Sequence, residues 1–222
     1  MNDEMITLLE AGLRELGLPE NRSVAEKLTC YVEMIEKANT YHSFVSASGN
    51  DLITRHILDS LAPWKIFRKL LDSGGVKDIA DFGTGAGLPG IPLALIFPDT
   101  PFVLMDRMTK RVQFIESVKL ALGLDNVTPL ENQAEHYKTR HSIITFRAFR
   151  PFEYKLFKKI FRICEDGGCL VAYKGRHEKA AEEIKVLESL LESEEIIDLT
   201  VPFLDEERCL VLLKPIKRQA VD

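Results

Sequence analysis

The feature that most constrains this 222-residue chain is a glycine-rich turn between a short apolar segment and a predicted helix. The apolar segment is Asp78–Phe82, and the turn that follows reads GTGAGLPG over residues 83–90. Pro89 suits the first turn of a helix, because its missing N–H would be unsatisfied there anyway. Glycines adopt positive φ and let a ligand approach the backbone closely. The pattern predicts a ligand site at the carboxyl end of a first β-strand, and a tight turn without a ligand is the alternative.

Beyond residue 76, short apolar strands alternate with helices, which predicts a parallel sheet covered on both faces. The predicted strands are Asp78–Phe82, Phe102–Asp106, Val127–Glu131, Ile143–Phe146, Cys169–Lys174, Glu195–Val201 and Arg208–Lys214. The predicted helices are Pro89–Phe97, Lys110–Leu122, Phe152–Cys164 and His177–Leu191. Only Pro202–Glu207 separates the last two strands, too short a link for a crossover. The predicted fold is therefore α/β and Rossmann-like, a seven-stranded, mostly parallel sheet with a C-terminal antiparallel hairpin.

The first part of the chain reads as helical and predicts a separate N-terminal extension. Leucines at helical spacing end at Gly17-Leu18-Pro19, and Asn21 is a suitable N-cap for a second helix. A further helix is predicted over Leu52–Leu71, with a possible break at Pro63. We therefore expect residues 1–72 to form a helical extension packed on a ligand-binding domain of residues 73–222, the two making one compact unit.

Composition excludes several classes of protein. Apolar residues make up 45% of the chain, and no window approaches 18 uninterrupted apolar residues, which argues against disorder and against a membrane span. Acidic residues near the start stand where a signal peptide needs basic ones, which predicts a cytoplasmic protein. The four cysteines form no metal-binding set with histidines, so we expect reduced thiols and no metal.

Charge is distributed unevenly along a chain whose formal net charge is −5. Between Lys138 and Arg162 eight lysines and arginines stand against one acid, whereas between Glu178 and Glu207 eleven acids stand against two lysines. The basic segment is compatible with phosphate binding at one face, or with an ordinary solvated helix face.

Two acidic residues indicate which ligand the turn binds. Gly85-x-Gly87-x-x-Gly90 matches the dinucleotide fingerprint, which alone is a weak signal. Asp81, directly before the turn, would repel a pyrophosphate and attract a ligand that carries sulfonium and ammonium groups. Asp106, at the end of the second predicted strand, can accept both hydroxyls of a ribose. Together they favour S-adenosylmethionine over NAD.

Five segments together resemble the RsmG (GidB) family of class I methyltransferases, the bacterial 16S ribosomal RNA guanine-N7 methyltransferases. The matching segments are RHILDS at residues 55–60, the glycine loop with its GLPGIP continuation at 81–92, Asp106 with Lys110-Arg111, Arg147-Ala148-Phe149, and Lys174-Gly175. The resemblance implies a class I methyltransferase sheet, S-adenosylmethionine as cofactor, and 16S RNA or the small ribosomal subunit as partner. Nothing in the sequence demands more than a monomer.

The resemblance also implies roles for individual residues. Gly83, Leu88, Ala134, Glu135 and Arg147 are expected to contact the cofactor, beside Asp81, Gly85, Gly87 and Asp106. Arg147 would hold the methionine carboxylate or order the loop. Lys110, Arg111 and Lys174 are expected to contact RNA. No catalytic residue is expected, because guanine N7 carries no proton and needs no general base.

Several interpretations stay open at this stage. Phe149 or Tyr173 could stack on the target base, although a buried ring is the commoner role, and His56 with Asp59 reads more as a structural pair than a catalytic one. The chain departs from the family where Tyr41-His42-Ser43-Phe44 replaces Tyr-Asn-Leu-Thr and where Gln133 replaces an arginine. A small-molecule methyltransferase, a non-catalytic or NAD-binding nucleotide protein and an inactive RNA-binding protein are the alternatives.

Overall fold

The computed structural model describes residues 1–73, 75–148 and 151–216. Within these ranges one sheet of seven strands runs in the order β3-β2-β1-β4-β5-β7-β6. The strands are β1 Ile79–Phe82, β2 Phe102–Asp106, β3 Val127–Glu131, β4 His141–Arg147, β5 Cys164–Lys174, β6 Leu191–Leu199 and β7 Arg208–Pro215. Because β1 lies between β2 and β4, the chain reverses its direction of winding there, which is where open α/β sheets bind ligands.

Strands β1 to β5 are parallel, and β7 pairs antiparallel with both β5 and β6. The final hairpin therefore inserts β7 into the sheet and leaves β6 at the edge. The exposed acids Glu192, Glu194 and Glu195 of β6 discourage another strand from pairing with this edge. The predicted α/β sheet with a C-terminal antiparallel hairpin is confirmed.

Helices cover both faces of the sheet. They are α1 Asp3–Glu15, α2 Arg22–His42, α3 Gly49–Leu52, α4 Asp59–Leu61, α5 Trp64–Asp72, α6 Gly90–Ile96, α7 Thr109–Leu122, α8 Tyr154–Ile160 and α9 His177–Ile184. A π-helical turn, Ile53–Leu58, joins α3 to α4, and 3-10 turns, Phe161–Ile163 and Lys185–Leu190, follow α8 and α9. None of the helices in the described ranges is both long and apolar enough to cross a lipid bilayer.

Two apolar clusters hold these helices to the sheet. Since successive side chains of a strand point to opposite faces, Ile79 packs with α1, α2, α6 and α7, while Ala80 and Phe82 pack with α8 and α9. The N-terminal helices thus share a core with one face of the sheet. A division of the chain between residues 72 and 73 stays a prediction.

Element boundaries differ from the predictions where polar residues obscure the pattern. The predicted helix Leu52–Leu71 is interrupted at Ala62 and Pro63, and its first part is the π-helical turn. Strand β5 begins at Cys164 instead of Cys169, because residues 165–168 bulge between two paired segments. Strand β6 begins at Leu191, since an edge strand can expose the acids that made this stretch resemble the end of a helix.

Candidate active site

The glycine loop follows β1 and is fastened to the end of β2. Gly83, Gly85 and Gly87 have φ of 68°, 62° and 97°, the left-handed region that glycine adopts without strain. The N–H groups of Gly83 and Thr84 both donate to the Met105 carbonyl, at 2.8 and 3.1 Å. These two backbone hydrogen bonds therefore fix the start of the loop against the end of β2.

Close packing explains why glycine is needed at positions 87 and 90. A Cβ at Gly87 would lie 2.6 Å from Ile91 Cγ1 and 3.1 Å from Tyr31 Oη. A Cβ at Gly90 would lie 2.2 Å from Leu104 Cδ2 and 2.9 Å from Asp81 Oδ2. The predicted fingerprint glycines thus also serve packing between the loop, α2, α6 and β2.

Asp81 is the penultimate residue of β1 and is completely buried. Its Oδ2 accepts hydrogen bonds from Thr84 Oγ1 at 2.6 Å and from the Gly90 N–H at 2.9 Å. Its Oδ1 is buried and has no hydrogen-bond partner among the described residues. Burial raises the pKa of Asp81 to about 6, against the lowering effects of the two hydrogen bonds and the Arg147 charge. A buried acceptor without a donor calls for one from a ligand.

Asp106 ends β2 on the other side of the loop and is also buried. Its Oδ2 accepts from the Gly85 N–H at 3.0 Å and from Arg111 Nη1 at 3.1 Å. Its Oδ1 accepts from the Met108 N–H at 3.0 Å, which leaves one lone pair of Oδ1 for another donor. Arg111, predicted to contact RNA, is thus placed against Asp106, whereas Lys110 is exposed to solvent.

The segment after β3 lies beside Asp106, because the Asn132 N–H donates to the Asp106 carbonyl at 3.1 Å. In this segment Ala134 is buried, Glu135 is half-buried and Gln133 is exposed. The structure therefore brings the two predicted cofactor residues, Ala134 and Glu135, to the same edge of the sheet as Asp81 and Asp106.

Arg147 ends β4 and is held by the segment that carries the RHILDS motif. Its Nη1 donates to Asp59 Oδ2 at 2.8 Å, and its Nη2 lies 2.9 Å from His56 Nδ1. Longer contacts join Nη1 to the carbonyls of Arg55 and His56, at 3.3 and 3.4 Å. His56 and Asp59 were expected to interact with one another, and instead both bind Arg147.

Sequence reasoning missed the other half of this network. Arg208 Nε, at the start of β7, lies 3.3 Å from Asp59 Oδ1, so two arginines share one buried carboxylate. Glu206 binds both Arg208 and Arg55, and so links the final hairpin to the π-helical turn. No local sequence pattern predicts these contacts, because the residues that make them are far apart in the chain.

Lys174 and its neighbour end β5 with their polar groups already engaged. Lys174 Nζ lies 2.5 Å from Glu183 Oε2 and 3.9 Å from the centroid of the Phe152 ring. The Tyr173 ring is buried, and its hydroxyl donates to the Ser60 carbonyl at 2.8 Å. Tyr173 is therefore part of the core, and Phe149 lies outside the described residues.

Residues 41–44 span the C-terminal end of α2. Tyr41 is 79% exposed, and Phe44 stacks on His42 and contacts the Phe114 ring of α7. This aromatic cluster anchors the segment against the helix that follows Asp106.

Comparison with known proteins decides the family. The GidB family model, described as rRNA small subunit methyltransferase G, matches residues 24–211. The chain belongs to this family. A relative from Borrelia turicatae, named ribosomal RNA small subunit methyltransferase G, is 34% identical, and the alignment covers 95% of this chain and 100% of that protein. A relative of the same name from Cronobacter sakazakii is 36% identical, over 95% of this chain and 98% of that one. The resemblance found in the sequence is confirmed.

Solved structures give the fold of this rRNA small subunit methyltransferase G family member. Magnesium protoporphyrin IX methyltransferase from Synechocystis, solved with S-adenosylmethionine bound, has a TM-score of 0.58 at 13% identity, covering 83% of this chain and 97% of that one. The tRNA (m1A58) methyltransferase TrmI from Aquifex aeolicus has a TM-score of 0.55 at 12% identity, covering 70% of each chain. Both similarities show the fold alone, and they confirm the Rossmann-like methyltransferase architecture.

Proposed function

We propose that this protein methylates N7 of a guanine in 16S ribosomal RNA, as a monomer that uses S-adenosylmethionine. The observation that carries the proposal is the pair of buried carboxylates, Asp81 and Asp106, on either side of the glycine loop. Each retains acceptor capacity that no described residue uses. Membership of the rRNA small subunit methyltransferase G family supports ribosomal RNA as the substrate.

The residues of the site fit this cofactor. The unpaired Oδ1 of Asp81 suits an ammonium group, and the remaining lone pair of Asp106 Oδ1 suits a ribose hydroxyl. The backbone of Gly83, Gly85, Gly87 and Leu88 would line the amino-acid portion, and Ala134 with Glu135 would border the adenine. When bound, the cofactor supplies a sulfonium methyl group: the N7 lone pair forms the C–N bond, the C–S electron pair returns to sulfur, and no proton is released.

The protein's own part in this reaction is to align the target and exclude alternatives. No general base is required, so the rate depends on how well the base is held in line with the methyl group. The target guanine must leave its stack to enter the site. Arg147 acts as a positioning residue, because it holds the end of β4 to His56 and Asp59.

The three cations proposed to contact RNA differ in how free their side chains are. Lys110 is exposed in the first turn of α7, the helix that follows β2, so it suits an RNA phosphate. Arg111 and Lys174 already neutralise Asp106 and Glu183, and would contact RNA while keeping those partners. Substitution of Lys110 should therefore weaken RNA binding without changing cofactor affinity.

A methyl-transfer assay with labelled S-adenosylmethionine tests the proposal. The substrates are 16S RNA that lacks its N7-methylguanines, intact unmodified small subunits, and buffer without RNA. Label in one guanine, mapped by N7-specific cleavage, is the expected result and also identifies the preferred substrate. Binding of S-adenosylhomocysteine without label in any RNA would contradict the proposal and favour a small-molecule methyltransferase or an inactive RNA-binding protein. Tighter binding of NAD would favour a dinucleotide protein.

The affinity for S-adenosylhomocysteine should depend on pH through Asp81. Ionised Asp81 attracts the ligand's ammonium group, and the protonated acid does not, so affinity should be constant from pH 7 to 8 and fall below about 6. Calorimetry should show a loss of up to about tenfold per pH unit. A flat profile from pH 5 to 8 would contradict this prediction.

A further inference from the structure

Arg147 determines which nitrogen of His56 carries the proton. A guanidinium group can only donate hydrogen bonds, so His56 Nδ1, 2.9 Å from Arg147 Nη2, must accept one. A neutral imidazole that accepts through Nδ1 carries its proton on Nε2. Within the described residues this Nε2–H has no acceptor. It is not one of the buried polar atoms without a partner, so Nε2 is accessible to solvent. His56 therefore presents one defined donor to solvent.

The imidazole also stays uncharged at neutral pH. Burial, followed by the charges of Arg147, Arg55 and Arg208, lowers the pKa of His56 to about 4. The group is thus a neutral donor with a fixed tautomer and a fixed orientation, set by an arginine that Asp59 holds in turn.

The sheet places this donor beside the cofactor site. Arg147 lies two residues beyond Thr145, which pairs with Asp81 across β1 and β4. Because alternate residues of a strand point to the same face, Arg147 lies on the same side of β4 as Thr145, the partner of Asp81. A cofactor held by Asp81 and Asp106 would lie over β1 and β2, which would leave the β4 side, where Arg147 binds His56, for the methyl acceptor.

We propose that His56 selects guanine by donating its Nε2–H to O6 of the target base, an inference that rests on the proposed guanine-N7 activity. The Hoogsteen edge of guanine carries two acceptors, N7 and O6, whereas adenine has an amino group in place of O6. If N7 receives the methyl group, O6 is the atom left for recognition on that edge. A protein N–H can donate to guanine O6, whereas the amino group of adenine is itself a donor and would oppose it.

A neutral donor suits this reaction better than a cation. Methylation at N7 leaves the purine with a positive charge, which a neighbouring imidazolium would oppose. Arg147 therefore orients the His56 ring, and burial together with the charges of Arg147 and Arg55 lowers its pKa and disfavours its protonation.

The inference is tested by removing the donor and the acceptor separately and together. Small subunits are reconstituted with guanine or 2-aminopurine, which lacks O6 and keeps N7, at the position mapped by the methyl-transfer assay. Wild-type protein should prefer guanine by about 10- to 100-fold in kcat/KM, because the analogue leaves the donor unpaired. His56→Phe should lose a similar factor on guanine and little on 2-aminopurine, so that the preference falls to within about threefold. Affinities for the two subunits, measured with S-adenosylhomocysteine bound, should follow the same pattern.

Two further variants guard against a general loss of structure. His56→Gln can accept from Arg147 and donate through its amide, and should retain a clear preference for guanine. His177→Phe, at a surface histidine that pairs with Asp198, makes the same change outside the site and should leave the preference unchanged. Calorimetry with S-adenosylhomocysteine and thermal unfolding show whether each variant keeps its fold.

The outcomes separate this inference from the proposed function. If wild-type protein methylates the mapped guanine and His56→Phe, folded and able to bind S-adenosylhomocysteine, keeps the full preference for guanine, the inference is overturned alone. The inference is also overturned if the losses from His56→Phe and from 2-aminopurine simply add when the two changes are combined. If wild-type protein methylates no guanine, the proposed function fails and the inference fails with it.

Discussion

Asp81→Asn is expected to weaken binding of S-adenosylhomocysteine by about 10- to 100-fold at pH 7.5, the cost of losing one hydrogen bond to a charged group. Asparagine can still accept from Thr84 and Gly90 through its amide oxygen, so the loop should keep its shape. Its amide nitrogen, however, would face the ligand's ammonium group with a donor in place of an acceptor. Calorimetry should therefore place the loss near the upper end of that range.

The same substitution should affect stability in the opposite direction. The pKa of Asp81 in the folded protein, about 6, lies above the unfolded value near 3.9, so its stabilising contribution is present below the unfolded value and is lost as pH rises through 6. Without cofactor, Asp81→Asn should gain in melting temperature relative to wild type as pH increases from 5 to 8.

Exposed Asp125 provides the matched control for both effects. Asp125→Asn should change neither the binding of S-adenosylhomocysteine nor the pH dependence of melting. Asp81→Asn protein that binds as tightly as wild type would contradict the role given to the unpaired oxygen.

Local patterns in the sequence predicted most of the fold because the sheet depends on local signals. Each strand of the parallel region is a short apolar run, and the link Pro202–Glu207 is too short for anything but a hairpin. The errors fall where a tertiary contact overrides the local pattern. The bulge at residues 165–168 lies within a paired strand, and the acids of β6 are tolerated because they lie at an edge.

The sequence indicates candidate ligand-binding residues where strands end, and it does not indicate contacts between side chains that are far apart in the chain. Asp81 and Asp106 lie within one residue of a strand end beside the glycine loop, and such a position is visible in the sequence. Arg147 was assigned to the cofactor from the resemblance, and its contacts with His56 and Asp59 depend on how the N-terminal helices pack on β4. No spacing in the chain encodes that packing.

Asp59→Ala should lower the free energy of unfolding by about 3–5 kcal/mol, the usual cost of removing one member of a buried ion pair. Asp59 is 5% exposed, accepts a hydrogen bond from Arg147 and forms an ion pair with Arg208. Arginine cannot shed its charge, so the variant would leave two guanidinium groups side by side without their shared carboxylate. The expected fall in melting temperature is about 6–20 °C for a chain of this size.

Asp51→Ala is the matched control. Asp51 likewise pairs with an arginine, Arg55, but its side chain is 69% exposed. Surface pairs contribute about 0–1 kcal/mol, so this variant should melt within a few degrees of wild type. Adding Arg147→Met to Asp59→Ala should restore part of the lost stability, since it removes one of the two opposed charges and leaves Arg208 to pair with Glu206. Losses that simply add in the double variant would show that charge repulsion is not what Asp59 relieves, and that its role is to fill space beneath the π-helical turn.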